Sequence, residues 1–177
     1  YNIFSITDKF NLKYIFTLLN SKLLKKYWEY KYNDNKNLFP KIKGYQLDDL
    51  PLVNIPLEKQ QPFIEKADKM LSLNRELQDL SQKFQRMVLR KFDLEKLSTK
   101  LQEWHLLDFS DFIKELKRLK VKLSLSQESE WEEYFLEEKS KAIAVDSEIK
   151  NTDKEIDSMV YKLYDLTDEE IKIIEEE

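Results

Sequence analysis

The sequence predicts a mainly α-helical protein: a partial α/β head, then a long antiparallel coiled-coil helical hairpin carrying a small helical knob. Three observations predict it. All the strong helix breakers, Pro40, Gly44, Pro51, Pro56 and Pro62, fall in one window, and the 115 residues from Phe63 to Glu177 contain none. Such a stretch, rich in Leu, Glu and Lys, favours helix throughout. Charge divides near the same place, because residues 1–57 hold 9 Lys and 5 acids while residues 58–177 hold 21 Lys+Arg and 29 acids. Lastly, apolar residues beyond the break recur with a seven-residue period, the mark of helices that pair along a narrow seam.

The elements follow in order. Tyr1–Ile6 is rich in β-branched and aromatic residues and suits a strand. Asp8 or Asn11 can cap a helix from about Leu12 to Tyr32, where Ile15, Leu18, Leu19, Leu23 and Tyr27 form one apolar face. Residues 38–57 are irregular, with short strands expected at Lys41–Tyr45 and Val53–Ile55. A long helix then carries Phe63, Met70, Leu77 and Phe84 at a positions and Lys66, Leu73, Leu80 and Met87 at d. A second seam runs through Phe135, Ala142, Ile149, Ile156 and Leu163, with Val145, Met159 and Leu166 at d and Glu138 and Thr152 as interruptions. Between the two, Leu94–Leu107 and Phe109–Leu116 are helically spaced, which predicts the knob; Asp108 or Ser110 can cap its second piece. Ser126 or Ser129 is the expected cap of the last long helix. Thr167 and Glu170 form a capping box for a short terminal helix. The two seams must be covered, by each other within one chain or by a second chain as a homodimer.

Composition excludes several chemistries. The chain lacks Cys, which removes disulfides, thiolate metal sites and thiol nucleophiles, and its single His105 cannot build a histidine cluster. One glycine, Gly44, is too few for a dinucleotide fingerprint or a P-loop. Apolar runs are far shorter than the ~20 residues needed to span a bilayer, so no membrane partner is expected. No signal-peptide pattern opens the chain, and a cytoplasmic location is the default. The first residue is Tyr1 rather than Met, as expected of a piece of a longer protein.

Candidate catalytic groups have plainer explanations. His105 follows Trp104 in a helical stretch without an acidic partner nearby in sequence, and packing accounts for it. Asp48-Asp49 precedes Leu50-Pro51, where Asp commonly forms turns. The triplets Glu137-Glu138-Lys139, Glu148-Ile149-Lys150 and Glu170-Ile171-Lys172 resemble pieces of metal-dependent nuclease sites, but a chain so rich in Glu and Lys produces them by chance. No catalytic residue and no metal ligand is assigned.

The basic head offers more. Lys22, Lys25, Lys26, Lys31, Lys36, Lys41 and Lys43 are interleaved with Tyr27, Trp28, Tyr30, Tyr32, Phe39 and Tyr45. Lysines neutralise phosphates, and neighbouring amides and aromatic rings reach base edges. Lys31, Lys36, Lys41, Lys43 and Gln46 are therefore the candidate contacts to double-stranded DNA.

Ordered motifs along the chain resemble one family. Asn11-Leu12-Lys13-Tyr14-Ile15 and Leu19-Asn20-Ser21-Lys22-Leu23-Leu24 are similar to the "Leu-Asn-Ser-Lys" helix of specificity domains in restriction–modification enzymes. Leu47-Asp48-Asp49-Leu50-Pro51-Leu52 is similar to that family's "L-x-x-L-P-I/L-P" exit, although Val53-Asn54-Ile55-Pro56 departs slightly from it. Gln60–Ile64, Ala67–Leu71 and Leu73-Asn74 resemble the spacer helix that follows. Glu155-Ile156-Asp157, Val160-Tyr161-Lys162-Leu163-Tyr164 and Leu166–Ile171 resemble the closing signature "D-x-x-V-Y-x-L-Y-x-L-T-x-E-E-I".

The resemblance is to the C-terminal target-recognition region of type IIG-like restriction–modification enzymes and large adenine-specific DNA methyltransferases of phage defence, similar in plan to type I specificity subunits. It implies that residues 1–57 are the C-terminal part of a DNA target-recognition domain and 58–177 a helical spacer. The spacer would comprise a long helix at about 59–91, the knob at about 93–125, a long helix at about 130–164 and a short helix at about 167–176. It also implies a catalytic methyltransferase domain upstream in the same parent chain, with S-adenosylmethionine as its cofactor and an Asn-Pro-Pro-Tyr-type motif that this sequence lacks. This fragment would hold no cofactor and catalyse nothing alone. The alternative is a coiled-coil interaction or dimerisation module without DNA binding.

Overall fold

The computed structural model describes residues 9–32 and 44–176. Its elements in chain order are α1 (Leu12–Leu19), α2 (Lys22–Tyr32), α3 (Gly44–Asp48), α4 (Leu57–Lys91), α5 (Thr99–Gln102), a one-turn 3-10 helix at Trp104–Leu106, α6 (Phe109–Arg118), α7 (Leu125–Leu163) and α8 (Asp168–Glu175). The expected mainly α class is observed, and no strand occurs among the described residues. The chain forms two compact units: Tyr1–Met70 with Asn151–Glu177, and Leu71–Lys150.

In the first unit, the single helix expected over Leu12–Tyr32 is two helices broken at Asn20-Ser21. Asn11 caps α1, accepting the Lys13 N–H at 2.8 Å. At the break, the Asn20 side-chain amide donates to the Phe16 carbonyl at 2.8 Å and the Ser21 hydroxyl to the Leu18 carbonyl at 2.7 Å. Short polar side chains thus add to the backbone bonds on the last-turn carbonyls of α1 and close the helix there. The Lys22 N–H at the start of α2 donates to the buried Asp157 carboxylate of α7 at 2.8 Å. The motif Leu-Asn-Ser-Lys therefore encodes a corner.

The expected strand at Val53–Ile55 is absent, because side chains rather than a neighbouring strand take its carbonyls. Pro51 O accepts from the hydroxyl of Tyr164, the residue after α7, at 2.6 Å, Val53 O from the Tyr14 hydroxyl of α1 at 2.8 Å, and Ile55 O from the Gln60 amide of α4 at 2.9 Å. Alternate carbonyls of an extended chain face the same side, so side chains from three parts of the chain can lace one edge of it. Of the other expected strands, 1–6 and 41–43 lie outside the described residues, and Gly44 and Tyr45 begin α3. Gln60 is fully buried, accepting the Asn11 N–H at 2.8 Å and donating to Lys9 O at 2.7 Å. Burial pushes the Tyr14 hydroxyl well above its ordinary range and that of Tyr164 up to about 12, so both remain neutral donors.

In the second unit, the seam residues of α4 and α7 meet within one chain. Lys83 approaches Glu138 at 3.7 Å, the ring of Phe84 faces Phe135 at 6.0 Å between centroids, and Phe92 faces Trp131 at 4.9 Å. Partner numbers fall as α4 advances, so the helices are antiparallel here. The knob closes over this pair with an aromatic core: Trp104 stacks on Phe84 at 3.8 Å and Phe112 packs on Phe135 at 4.9 Å. Leu94–Leu107 is not one helix. Asp93 takes φ 50°, residues 94–98 are irregular, and Ser98 caps the short α5 by accepting the Leu101 N–H at 3.3 Å. Asp108 caps α6, as expected, accepting the Asp111 N–H at 2.8 Å. α7 starts at Leu125, earlier than Ser126 or Ser129 would set it, because Ser124 and Gln127 form the cap: each side chain accepts the other's backbone N–H, at 3.3 and 2.9 Å.

The α4 seam differs in phase from the expectation. Phe63, Met70 and Phe84 are buried as foreseen, but the alternating position falls on Gln60, Ala67 and Val88, not on Lys66 and Met87. From Leu71 to Lys83 no side chain is fully buried. On α7, Phe135, Ala142, Val145 and Ile156 are buried, and the two interruptions, Glu138 and Thr152, lie in the same buried line.

Candidate nucleic-acid interface

The interface is built on α2, an eleven-residue helix whose apolar anchor is the buried Leu24 and whose outer faces carry Lys22, Lys25, Lys26, Lys31 and four aromatic rings. Its last turn and α3 form an aromatic group: Trp28 lies 6.3 Å from Tyr32, and Tyr32 meets Tyr45 edge-on at 6.4 Å. Tyr30 is 94% exposed and Tyr45 60%, so two large rings face solvent beside the lysines. Exposed rings next to cations are the surface on which bases and phosphates are held together.

Of the expected contact residues, Lys31 sits in this group. Its ammonium donates to the Tyr27 hydroxyl at 3.0 Å, lies 5.3 Å from the centre of the Tyr27 ring and pairs with Asp49. The Tyr32 hydroxyl also donates to Asp49. These hydrogen bonds hold the Asp49 carboxyl below its ordinary value and the Lys31 ammonium above its own. Gln46 is buried in α3, with 7% of its surface exposed. Lys36, Lys41 and Lys43 lie outside the described residues.

A second cationic face is formed by lysines of the basic head that were not among the expected DNA contacts. Lys22, Lys25 and Lys26, with Glu29, Ile174 and Glu175, line a groove of about 350 Å³. Lys22 pairs with Glu175 at 2.5 Å, and Lys26 donates to the Glu176 carbonyl at 3.0 Å. The i, i+3, i+4 spacing of these lysines on a helix was the available signal. What it could not show was that α8 folds back onto them.

The closing signature is structural. Val160 and Tyr161 are buried, the Tyr161 hydroxyl donates to Glu175 at 2.7 Å, Tyr164 holds Pro51, and Thr167 and Glu170 form the expected capping box. His105 packs edge-on against Trp104 at 6.0 Å, and burial holds its imidazole below the ordinary value. Among the described residues, no three acidic or imidazole side chains converge so as to hold a metal ion, and no helix is long and apolar enough to cross a membrane.

Residues 56–160 match a family described as a domain of unknown function, DUF8810. The chain belongs to this family. Residues 1–52 match the TaqI-like C-terminal specificity domain, consistent with a specificity region of a restriction–modification enzyme; the match spans the Leu-Asn-Ser-Lys and Leu-Pro motifs, while the motifs at 60–74 and 155–171 lie outside it. No curated protein and no solved structure matches the chain. The DUF8810 match begins at Pro56, one residue before α4, and covers α4, the knob and α7 as far as Val160.

Proposed function

We propose that this chain recognises double-stranded DNA as part of a restriction–modification enzyme, its head gripping the duplex and its helical hairpin acting as the spacer. The observation that carries the reading is the specificity-domain match over residues 1–52, the same residues that hold the net positive charge and the exposed rings of Tyr30 on α2 and Tyr45 on α3. Lys31, Lys36, Lys41 and Lys43 contact phosphates, and Tyr30 and Tyr45 lie against the sugar–phosphate edge. A methyltransferase domain elsewhere in the parent flips and methylates an adenine, while this chain contributes position rather than chemistry. S-adenosylmethionine belongs to that other domain. No residue here is assigned to it.

Fluorescence anisotropy with a labelled duplex tests the reading. Binding should weaken steeply with salt, and K31Q/K36Q/K41Q/K43Q should cost about tenfold or more in affinity at ~50 mM salt, because each lost phosphate contact also lowers counterion release. Affinity unchanged by the quadruple variant would remove this DNA face.

A second reading, a coiled-coil interaction module, rests on Leu136 and Ile143. These sit seven residues apart on α7 and remain 52% and 46% exposed outside the buried seam. Sedimentation equilibrium separates the two: a tight dimer that L136K/I143K dissolves, together with no affinity for duplex, would favour it.

A further inference from the structure

We propose that α8 is a displaceable acidic cover on the lysine face of α2, and that duplex DNA and α8 compete for Lys22, Lys25 and Lys26. The inference rests on the DNA reading above and adds a regulatory contact to it.

The cover meets the lysines through two contacts of different kinds, and α8 is also held by the Tyr161 hydroxyl of α7, which donates to Glu175 at 2.7 Å. The Glu175 carboxylate pairs with the Lys22 ammonium at 2.5 Å, and the Glu176 main-chain carbonyl accepts from Lys26 at 3.0 Å. Lys25 lies exposed between them on the same face. Two of the three ammonium groups thus meet α8 directly, and the third lines the same groove beside Glu175. α8 and its C-cap hold Asp168, Glu169, Glu170, Glu175 and Glu176 against one Lys172. Lys22 and Tyr161 keep the Glu175 carboxyl below its ordinary value, so it is fully ionised at neutral pH.

The attachment is weak in the sense displacement requires. None of the side chains of α8 is buried, and Ile173 is 70% exposed. The paired Lys22 and Glu175 side chains are themselves 49% and 41% exposed, a setting in which ion pairs contribute little and are screened by salt. A duplex presents about one phosphate per 1.7 Å of its axis, far more anionic charge than one carboxylate and one carbonyl. α8 also keeps its own start, since the Thr167–Glu170 capping box closes its N-terminus without help from α2. The segment joining α7 to α8 is short and includes Asp165 at φ 54°. α8 can therefore swing away from the lysines about that segment, and an eight-residue helix without a partner opens more readily.

The test compares wild type with E175Q/E176Q, and with E132Q/E133Q as a control that removes the same charge from exposed positions on α7. At ~50 mM salt, E175Q/E176Q should bind a duplex about three- to tenfold more tightly, the scale of one or two exposed ion pairs, and the gain should shrink as salt rises. The control should change affinity less than about twofold. In wild type, added duplex should speed amide hydrogen exchange at residues 171–176, because α8 has been released. Equal tightening in both double variants would reduce the effect to net charge and overturn the cover, as would exchange that slows on adding DNA. Wild type and E175Q/E176Q binding duplex with the same affinity would overturn the cover while leaving the DNA reading intact. No binding by any of the three would overturn both.

Discussion

The two units are held together by different physics. The unit of Leu71–Lys150 is organised by rings: Phe84, Trp104, Phe112 and Phe135 are buried to 1% exposure or less and pack on one another, with Trp131 at their edge. Its two buried acids, Glu115 and Glu138, are met by Arg118 and Lys141 on their own helices. The other unit buries Thr17, Ser21, Gln46, Gln60, Thr152 and Asp157, and Thr17, Ser21, Gln60 and Asp157 bond backbone groups of other parts of the chain or of a helix end. An apolar core depends on area and fit, so its members are partly interchangeable. A buried polar clasp depends on donors and acceptors in place, and a volume-matched apolar residue cannot replace it.

Three expectations can break or sharpen that contrast, each read by urea denaturation followed by circular dichroism. The largest effect belongs to the ring core, where Trp104→Ala should cost about 3–5 kcal/mol. Trp104→Phe should cost under about 2 kcal/mol, because the buried indole N–H has no hydrogen-bond partner to lose. If Phe proved as damaging as Ala, the ring core would be specified by more than volume.

In the polar clasp, Gln60→Ala should cost about 2–3 kcal/mol, leaving the Asn11 N–H and the Lys9 and Ile55 carbonyls unpaired by that side chain. Gln60→Leu should recover none of it. A Leu variant as stable as wild type would erase the distinction between the units.

The smallest effect is at Asp157. Burial raises its carboxyl above the ordinary 3.8, against the lowering pull of the Lys22 N–H. A raised folded-state value means the folded chain holds the proton more tightly than the unfolded one. This group's contribution to stability therefore falls as pH rises from about 3.8 through the raised value. Asp157→Asn keeps an oxygen for Lys22 and should remove that slope, matching or slightly exceeding wild type at pH 7. Asp157→Ala should cost about 1 kcal/mol, having lost the acceptor as well. A slope that survives in the Asn variant would move its origin to another group.

Much of the helical part was legible. The line Phe135–Ala142–Val145–Ile156 was readable because residues facing a partner helix repeat every three and four positions, and even Glu138 and Thr152 kept the register. On α4 the same reasoning took Lys66 for a seam position, since Gln60 and Ala67 carry too little hydropathy to mark the true line. The head was harder. Asn20 and Ser21 look like mid-helix residues in an amphipathic pattern, and only their bonds to Phe16 and Leu18 show the corner. Val53–Ile55 has strand composition, but composition does not say whether the partner of its carbonyls is a strand or a tyrosine. At the candidate site, the lysines and rings of α2 were visible as a cluster, whereas the pairing of Lys31 with Asp49 and the burial of Gln46 were not.

By itself, the sequence determined the helical class, the place where punctuation ends, the seam of α7, the capping box at Thr167 and Glu170, and the motifs of a specificity region; at the starts of α1 and α6 it narrowed the cap to two residues each. All of these are local or periodic properties, set by neighbours within about one or two helical turns. Tertiary structure alone decided which carbonyls Tyr14, Tyr164 and Gln60 hold, that Asp157 closes the start of α2, and that Glu175 of α8 lies on Lys22. Those pairings join residues 39 to 153 positions apart, Gln60 and Ile55 excepted. Nothing in a local window distinguishes a tyrosine or carboxylate that will meet such a partner from one that faces water.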